Sequence, residues 1–236
     1  MSLLHEQHIA IVDSATEYAD VEGLRILVPR GVYHPHEWSS TRFLLSALPE
    51  VHGLAPCKGL APCKGLDVLE IGGGSGAWAL AIKQRAAAKV VATDISEKAC
   101  AAMECNALLN NLDVDVRHGD MFDPLQDREQ FDLVIFNLPL MNKPVASQTE
   151  VALCDPDGEL LTRFLRGLPI VIKTGGQALF THASISAPLP LDIPGRIQPV
   201  AETRRVGACW DAPGKGSQPG PQGDDCEIFR VLWWRP

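Results

Sequence analysis

Four short stretches of this chain carry residues able to do chemistry, and they come in a fixed order. The first is Asp67-Val68-Leu69-Glu70-Ile71-Gly72-Gly73-Gly74-Ser75-Gly76, which runs on into Ala77-Trp78-Ala79-Leu80-Ala81-Ile82. Strand, glycine turn, helix is how an open α/β sheet brings its backbone close to a nucleotide. A Cβ at Gly72, Gly74 or Gly76 would block that approach and the left-handed turn it needs. The second stretch, Lys89-Val90-Val91-Ala92-Thr93-Asp94, ends in an acid 18 residues after Gly76 and is followed by Ile95. A carboxylate at the tip of a second strand can accept both hydroxyls of a ribose. The third, Val114-Asp115-Val116-Arg117-His118-Gly119-Asp120, alternates like a strand and ends in an acid next to Met121, suited to flank an adenine. The fourth, Phe131 to Leu140, is a buried-strand pattern that ends in Asn137-Leu138-Pro139-Leu140. Together they predict a nucleotide-type cofactor site. Each also has a plainer structural use: a glycine run reverses a chain, Asp94 and Asp120 suit turns, and Asn137 suits a strand-end cap.

The elements that must position these groups follow from the same pattern. Apolar strands that alternate with helix-like segments predict a parallel sheet covered on both faces. The glycines read G-x-G-x-G rather than the G-x-G-x-x-G of a dinucleotide site, which demotes NAD. At this point the chain resembles the class I S-adenosylmethionine (SAM)-dependent methyltransferases, over about residues 66–182. The resemblance implies an α/β, Rossmann-like seven-stranded sheet with a small N-terminal helix/hairpin cap. It also implies SAM as cofactor and no metal. Gly72, Gly74 and Gly76, preceded by Glu70, would cradle the amino-acid end of SAM. Asp94 with Ile95 would hold the ribose, and Asp120 with Met121 the adenine. Asn137 and Pro139 would meet cofactor and acceptor.

Val32-Tyr33-His34-Pro35-His36-Glu37, followed by Thr41-Arg42-Phe43-Leu44-Leu45, is similar to a segment of the HemK/PrmC-type glutamine methyltransferases. Those enzymes carry Asn-Pro-Pro-Tyr after the fourth strand, where this chain has Asn137-Leu138-Pro139-Leu140, and Trp38-Ser39 lengthens the segment before Thr41. The aromatic wall of the family is therefore absent. Methylation of a nitrogen on a small molecule or on a peptide or protein side chain is the expected activity, with Tyr33, Trp38, Leu138, Leu140 and Phe180 as candidates for the acceptor pocket. Methyl transfer from a sulfonium is an in-line displacement, so the protein mainly aligns the reacting atoms. A pocket sealed by Leu138, Leu140, Met141 and Phe180 would suit a second activity, in which SAM's own amine closes azetidine-2-carboxylate and releases methylthioadenosine. Release-factor glutamine methylation and a non-catalytic SAM-binding role rank below both.

Composition agrees with one enzyme domain plus an appendage. There are 236 residues, 46% of them hydrophobic, and a net charge of −8, which argues against nucleic acid as partner because nothing neutralises phosphates wholesale. Seven cysteines without C-x-x-C pairs, no leader-like N-terminus and no apolar stretch near membrane length read as a reduced, cytoplasmic chain with no membrane partner. The expected divisions are an N-terminal cap at 1–53, a duplicated loop at 54–65 (Leu-Ala-Pro-Cys-Lys-Gly twice), and a SAM-binding catalytic domain at 66–236. Within the cap, a helix over 8–19, a strand at 24–28 and a helix over 41–48 capped by Ser39 or Ser40 are expected. Residues 183–199 read as loop. His34-x-His36 reads as surface rather than metal-binding, and His182 as structural with a minor claim to be a base.

Overall fold

The computed structural model describes residues 9–37, 39–48, 63–206, 209–210 and 226–236. Its centre is one twisted sheet in the order β5-β4-β3-β6-β7-β10-β8-β9. The strands are β3 (Asp67–Ile71), β4 (Lys89–Asp94), β5 (Asp115–His118), β6 (Phe131–Phe136), β7 (Ile172–Ala183), β8 (Arg196–Val206), the two-residue β9 (Cys209–Trp210) and β10 (Cys226–Arg235). β5, β4, β3, β6 and β7 are parallel. β10 enters antiparallel between β7 and β8. This is the seven-stranded Rossmann-like sheet, with β9 as a short additional edge.

Side-chain period explains why the sheet is covered on both faces. Val68, Val90, Ala92, Leu133, Ile135 and Leu179 join one core, while Leu69, Ile71, Val91, Val134, Phe136 and Phe180 join the other. Neighbouring residues of one strand point to opposite faces, so each strand needs apolar residues at consecutive positions. The first core is closed by α1 (Ser40–Ala47), α2 (Ala77–Gln84) and α3 (Glu97–Leu109), the second by α4 (Glu159–Val171). Caps set the helix starts. Ser39 Oγ accepts the N–H of Arg42, and Ser96 Oγ that of Ala99, both at 3.3 Å. The Asp155 carboxylate accepts the N–H groups of Leu160 and Leu161 at 2.8 and 3.1 Å.

β1 (Glu17–Val21) and β2 (Leu24–Val28) form a separate antiparallel hairpin. Here the helix expected over 8–19 is corrected: the described helix stops at 12, and Tyr18 and Ala19 pair with Leu27 and Ile26. The reason is the turn at Glu22-Gly23, whose φ values of 54° and 82° are those of a tight two-residue hairpin. Asn106 of α3 and Asn110 at its C-cap hold the hairpin. Asn106 Oδ1 accepts from Leu27 N–H at 2.7 Å while its Nδ2 donates to Leu27 O and to Ser75 O in the glycine turn. Asn110 exchanges the same pair of bonds with Arg25.

The expected loop at 183–199 ends earlier, because β8 begins at Arg196. Pro199 still leaves its mark. The register of β8 against β10 shifts between Val231 and Leu232, opposite the proline, which has no N–H for the ladder. All but 63–65 of the duplicated loop lies outside the described residues, as does Trp38.

Candidate cofactor and acceptor site

The carboxyl ends of β3, β4 and β6 open into one cavity of about 740 Å³, roofed by the segment after β2 and by residues 148–153. Ligand pockets in α/β sheets lie at these strand ends, and the volume suits a ligand larger than a nucleoside. No described histidine lines it.

β3 delivers the chain into the glycine turn. Gly72, Gly74 and Gly76 have φ of 64°, 57° and 77°. The three have different duties. A Cβ on Gly74 would meet nothing nearer than Val32 Cγ1 at 3.9 Å, so this glycine opens onto the cavity. A Cβ on Gly76 would lie 2.9 Å from Met103 Cγ, so that glycine lets α2 pack against α3 and does not line the cavity. Gly73, which the sequence reading passed over, lines it together with Gly72 and Gly74.

Glu70 is 4% exposed and lies behind the turn, its Oε2 accepting the N–H of Ala79 in the first turn of α2 at 2.8 Å. Burial pushes its carboxyl up to about 8, against the pull of that hydrogen bond and with the nearby Asp94 adding to the rise. Asp94, at the end of β4, accepts Gly74 N–H on Oδ2 at 2.9 Å and Ser96 N–H on Oδ1 at 2.8 Å. Its pKa is also raised, first by burial. Each oxygen keeps lone-pair capacity for a hydroxyl from the cavity. Ile95, 60% exposed, forms the lip beside it. Asp120 and Met121 line the next part of the wall. Asp120 accepts from Arg163 at 2.7 Å, and the buried Met121 is held by its carbonyl, which accepts from Thr93 Oγ1 at 2.9 Å.

Asn137 stands at the end of β6 and lines the cavity with Leu138, Pro139 and Leu140. Its carboxamide is gripped from two elements. Nδ2 donates to Thr41 Oγ1 of α1 at 3.3 Å, and Oδ1 accepts from Thr181 Oγ1 of β7 at 3.2 Å. Both threonines are buried; Thr41 belongs to the segment similar to the HemK/PrmC type, whereas Thr181 has no motif signature of its own. Beyond, Met141 exchanges backbone hydrogen bonds with Leu153 and Asp155 at 2.9 Å, which ties this wall to the roof at 148–153.

Tyr33 lines the cavity from the roof, its hydroxyl accepting from Ser40 Oγ at 3.3 Å. Phe180 does not reach the cavity. It is fully buried in the core below, edge-on to Phe164 at 5.6 Å, because its position in β7 points to the α4 face. The sealed apolar wall expected around Phe180 is therefore not formed. His182 bonds to Ala187 O at 3.0 Å away from the cavity, its pKa lowered mainly by burial. His34 faces Glu17 at 3.2 Å, and the described residues hold no cluster of three or more potential metal ligands.

Comparison with known proteins places this geometry. A family described as a methyltransferase domain matches residues 68–158. A Methanocaldococcus jannaschii protein named "Putative protein N5-glutamine methyltransferase" is 30% identical over 173 residues, covering 71% of this chain and 80% of that protein. The chain belongs to the class I SAM-dependent methyltransferases. The ribosomal protein L11 methyltransferase of Caldicellulosiruptor bescii is 39% identical over 73 residues, but the chain spans only 23% of its length. Among solved structures, the 16S rRNA N2 G1207 methyltransferase of T. thermophilus, in complex with AdoMet and guanosine, superposes with a TM-score of 0.62. It is 18% identical, and the match covers 93% of this chain and 49% of that one. The tRNA m1G37 methyltransferase of M. jannaschii gives 0.56 at 16% identity, covering 94% and 57%. These two likenesses concern the fold. Methyl transfer is the activity carried by the family. SAM is its cofactor, and the left-handed turn through Gly72 and Gly74, open at Gly74 beside Asp94, fits that molecule. Among the described residues no helix is long and apolar enough to cross a membrane.

Proposed function

We propose that the protein methylates an uncharged amide nitrogen, with a glutamine side chain of a protein as the leading acceptor. The observation that carries this is Asn137, whose carboxamide is held by Thr41 and Thr181 at the wall of the cavity. An amide nitrogen arrives uncharged and, as its bond to the methyl carbon forms and the carbon–sulfur bond breaks, releases one N–H proton to an acid of the cavity wall. Asn137 can offer one remaining N–H to the acceptor carbonyl and a remaining lone pair on Oδ1 to the acceptor N–H, the two bonds an amide asks for. SAM, when bound, supplies a methyl group on a sulfonium. The protein's part is to hold the nitrogen in line and exclude water, and Pro139 keeps the presenting loop rigid. The M. jannaschii relative's name points to the same acceptor class.

The test is transfer of labelled methyl from SAM to glutamine-containing and lysine-containing peptides, read by mass spectrometry. Methylated glutamine with unmodified lysine supports the proposal; methylated lysine overturns it. Asn137→Ala should cut glutamine methylation by roughly a hundredfold, as when one preorganised hydrogen-bonding group at a reacting centre is removed, while leaving SAM affinity nearly intact.

A further inference from the structure

We propose that Arg30 and Lys98 form a carboxylate site at the lip of the cavity, and that its ligand is the α-carboxylate of SAM. The two side chains come from different elements, Arg30 from the loop after β2 and Lys98 from the first turn of α3. The Lys98 side chain reaches the Arg30 backbone, its Nζ donating to the Arg30 carbonyl at 3.3 Å, and both residues line the cavity. The loop then passes over the glycine turn: a Cβ on Gly31 would lie 3.8 Å from Lys98 Nζ, and Val32 Cγ1 lies 3.9 Å from where a Cβ on Gly74 would be. The loop's course is set by Gly31 N–H on Val12 O at 2.7 Å and Arg30 N–H on Thr16 Oγ1 at 3.3 Å.

The charges around the cavity decide what such a pair is for. Besides the buried Glu70, which holds its proton, three acids line it, Asp13, Asp94 and Asp120, against Arg30 and Lys98 alone as cations among the described residues. SAM carries a sulfonium, an ammonium and one carboxylate. The positive groups suit the acidic walls, whereas a carboxylate placed there would be repelled. Only at the lip does it meet two cations. Neither has an acid partner among the described residues, unlike Arg85, Arg117, Arg163 and Lys173, which are all ion-paired. Lys98 spends one of its three donors on Arg30 O and keeps two, and the Arg30 guanidinium offers a planar fork suited to two carboxylate oxygens.

Decarboxylated SAM separates this site from the rest of the cofactor cradle. Calorimetric titration of the full chain with SAM and with decarboxylated SAM would be compared for the native protein and for Arg30→Gln/Lys98→Gln. The native protein should prefer SAM by about tenfold or more, as expected when charge-assisted hydrogen bonds are at stake. The double variant should lose about that factor on SAM and bind decarboxylated SAM as the native protein does, which also shows that it is folded. Equal weakening of both ligands, or no preference in the native protein, overturns the proposal. Arg30→Gln alone leaves the backbone oxygen that Lys98 uses. It should show part of the same selective loss and carries the test if the double variant does not fold.

Discussion

Asp94 and Gly74 are joined directly: the carboxylate Oδ2 at the end of β4 accepts the backbone N–H of the glycine turn after β3 at 2.9 Å, while Oδ1 takes Ser96 N–H at 2.8 Å. The residue expected to receive the ribose therefore also holds the turn that borders it. Two strand ends become one rigid surface. Such a carboxylate costs desolvation, visible in its raised pKa, and the two backbone donors offset that cost before any ligand arrives.

This double duty sets the outcome of Asp94→Ala. The substitution removes a charged acceptor and frees Gly74 N–H, so SAM affinity should fall by about 1–3 kcal/mol, the usual cost of losing hydrogen bonds to a charged group. Calorimetric titration measures it, with circular dichroism to establish that the sheet is intact. Unchanged affinity would show that the ribose is held elsewhere.

Gly74 and Gly76, two residues apart in one turn, should respond differently to alanine. Both have positive φ, so each Ala pays backbone strain of about 1–2 kcal/mol. At Gly76 the new methyl also strikes Met103 at 2.9 Å, while at Gly74 it enters open space facing the cavity. Gly76→Ala is thus expected to lower the unfolding free energy read from urea titration more, by about 2–4 kcal/mol in all. Gly74→Ala should fold better but bind SAM worse. Reversal of that order would remove the division of labour proposed for the turn.

How far the site is legible along the chain follows from how local each signal is. Glycines at positive φ, strand-end acids and the Asn137 that ends a buried strand are written within a few residues, and the structure gathers Gly72, Gly74, Asp94, Asp120 and Asn137 round one cavity. What Gly76 does depends on Met103 of the next helix. The grip on Asn137 needs Thr41 and Thr181, which come from the cap and from β7. Asn106 ties hairpin, α3 and glycine turn together while sitting mid-helix with no pattern around it. Phe180 shows the converse: its apolar run marks it as buried, but which face it takes is set by the register of β7 against β6. The helix expected over 8–19 rests on Ile9, Val12, Ala15 and Tyr18 matching a helical period, whereas the Glu22-Gly23 turn folds Tyr18 back onto Leu27.

Glu70 makes stability depend on pH in a direction that can be worked out. Burial raises its folded pKa to about 8, above the 4.5 of an unconstrained glutamate, so the folded chain holds a proton that the unfolded chain releases. The stability this protects is fully present below pH 4.5 and is lost as pH rises through 8, by at most about 1.4 kcal/mol per pH unit for one group. Glu70→Gln keeps an oxygen to accept the N–H of Ala79 and cannot ionise, so it removes the slope without removing the bond. Asp94, the acid facing Glu70, titrates in both proteins and cancels in the comparison. Urea unfolding at pH 5 and pH 8 should therefore show the native chain losing more stability than the variant, with the variant the more stable of the two at pH 8. Parallel losses in both proteins would mean that Glu70 is ionised in the fold, and that the acids at the glycine turn are better compensated than their burial implies.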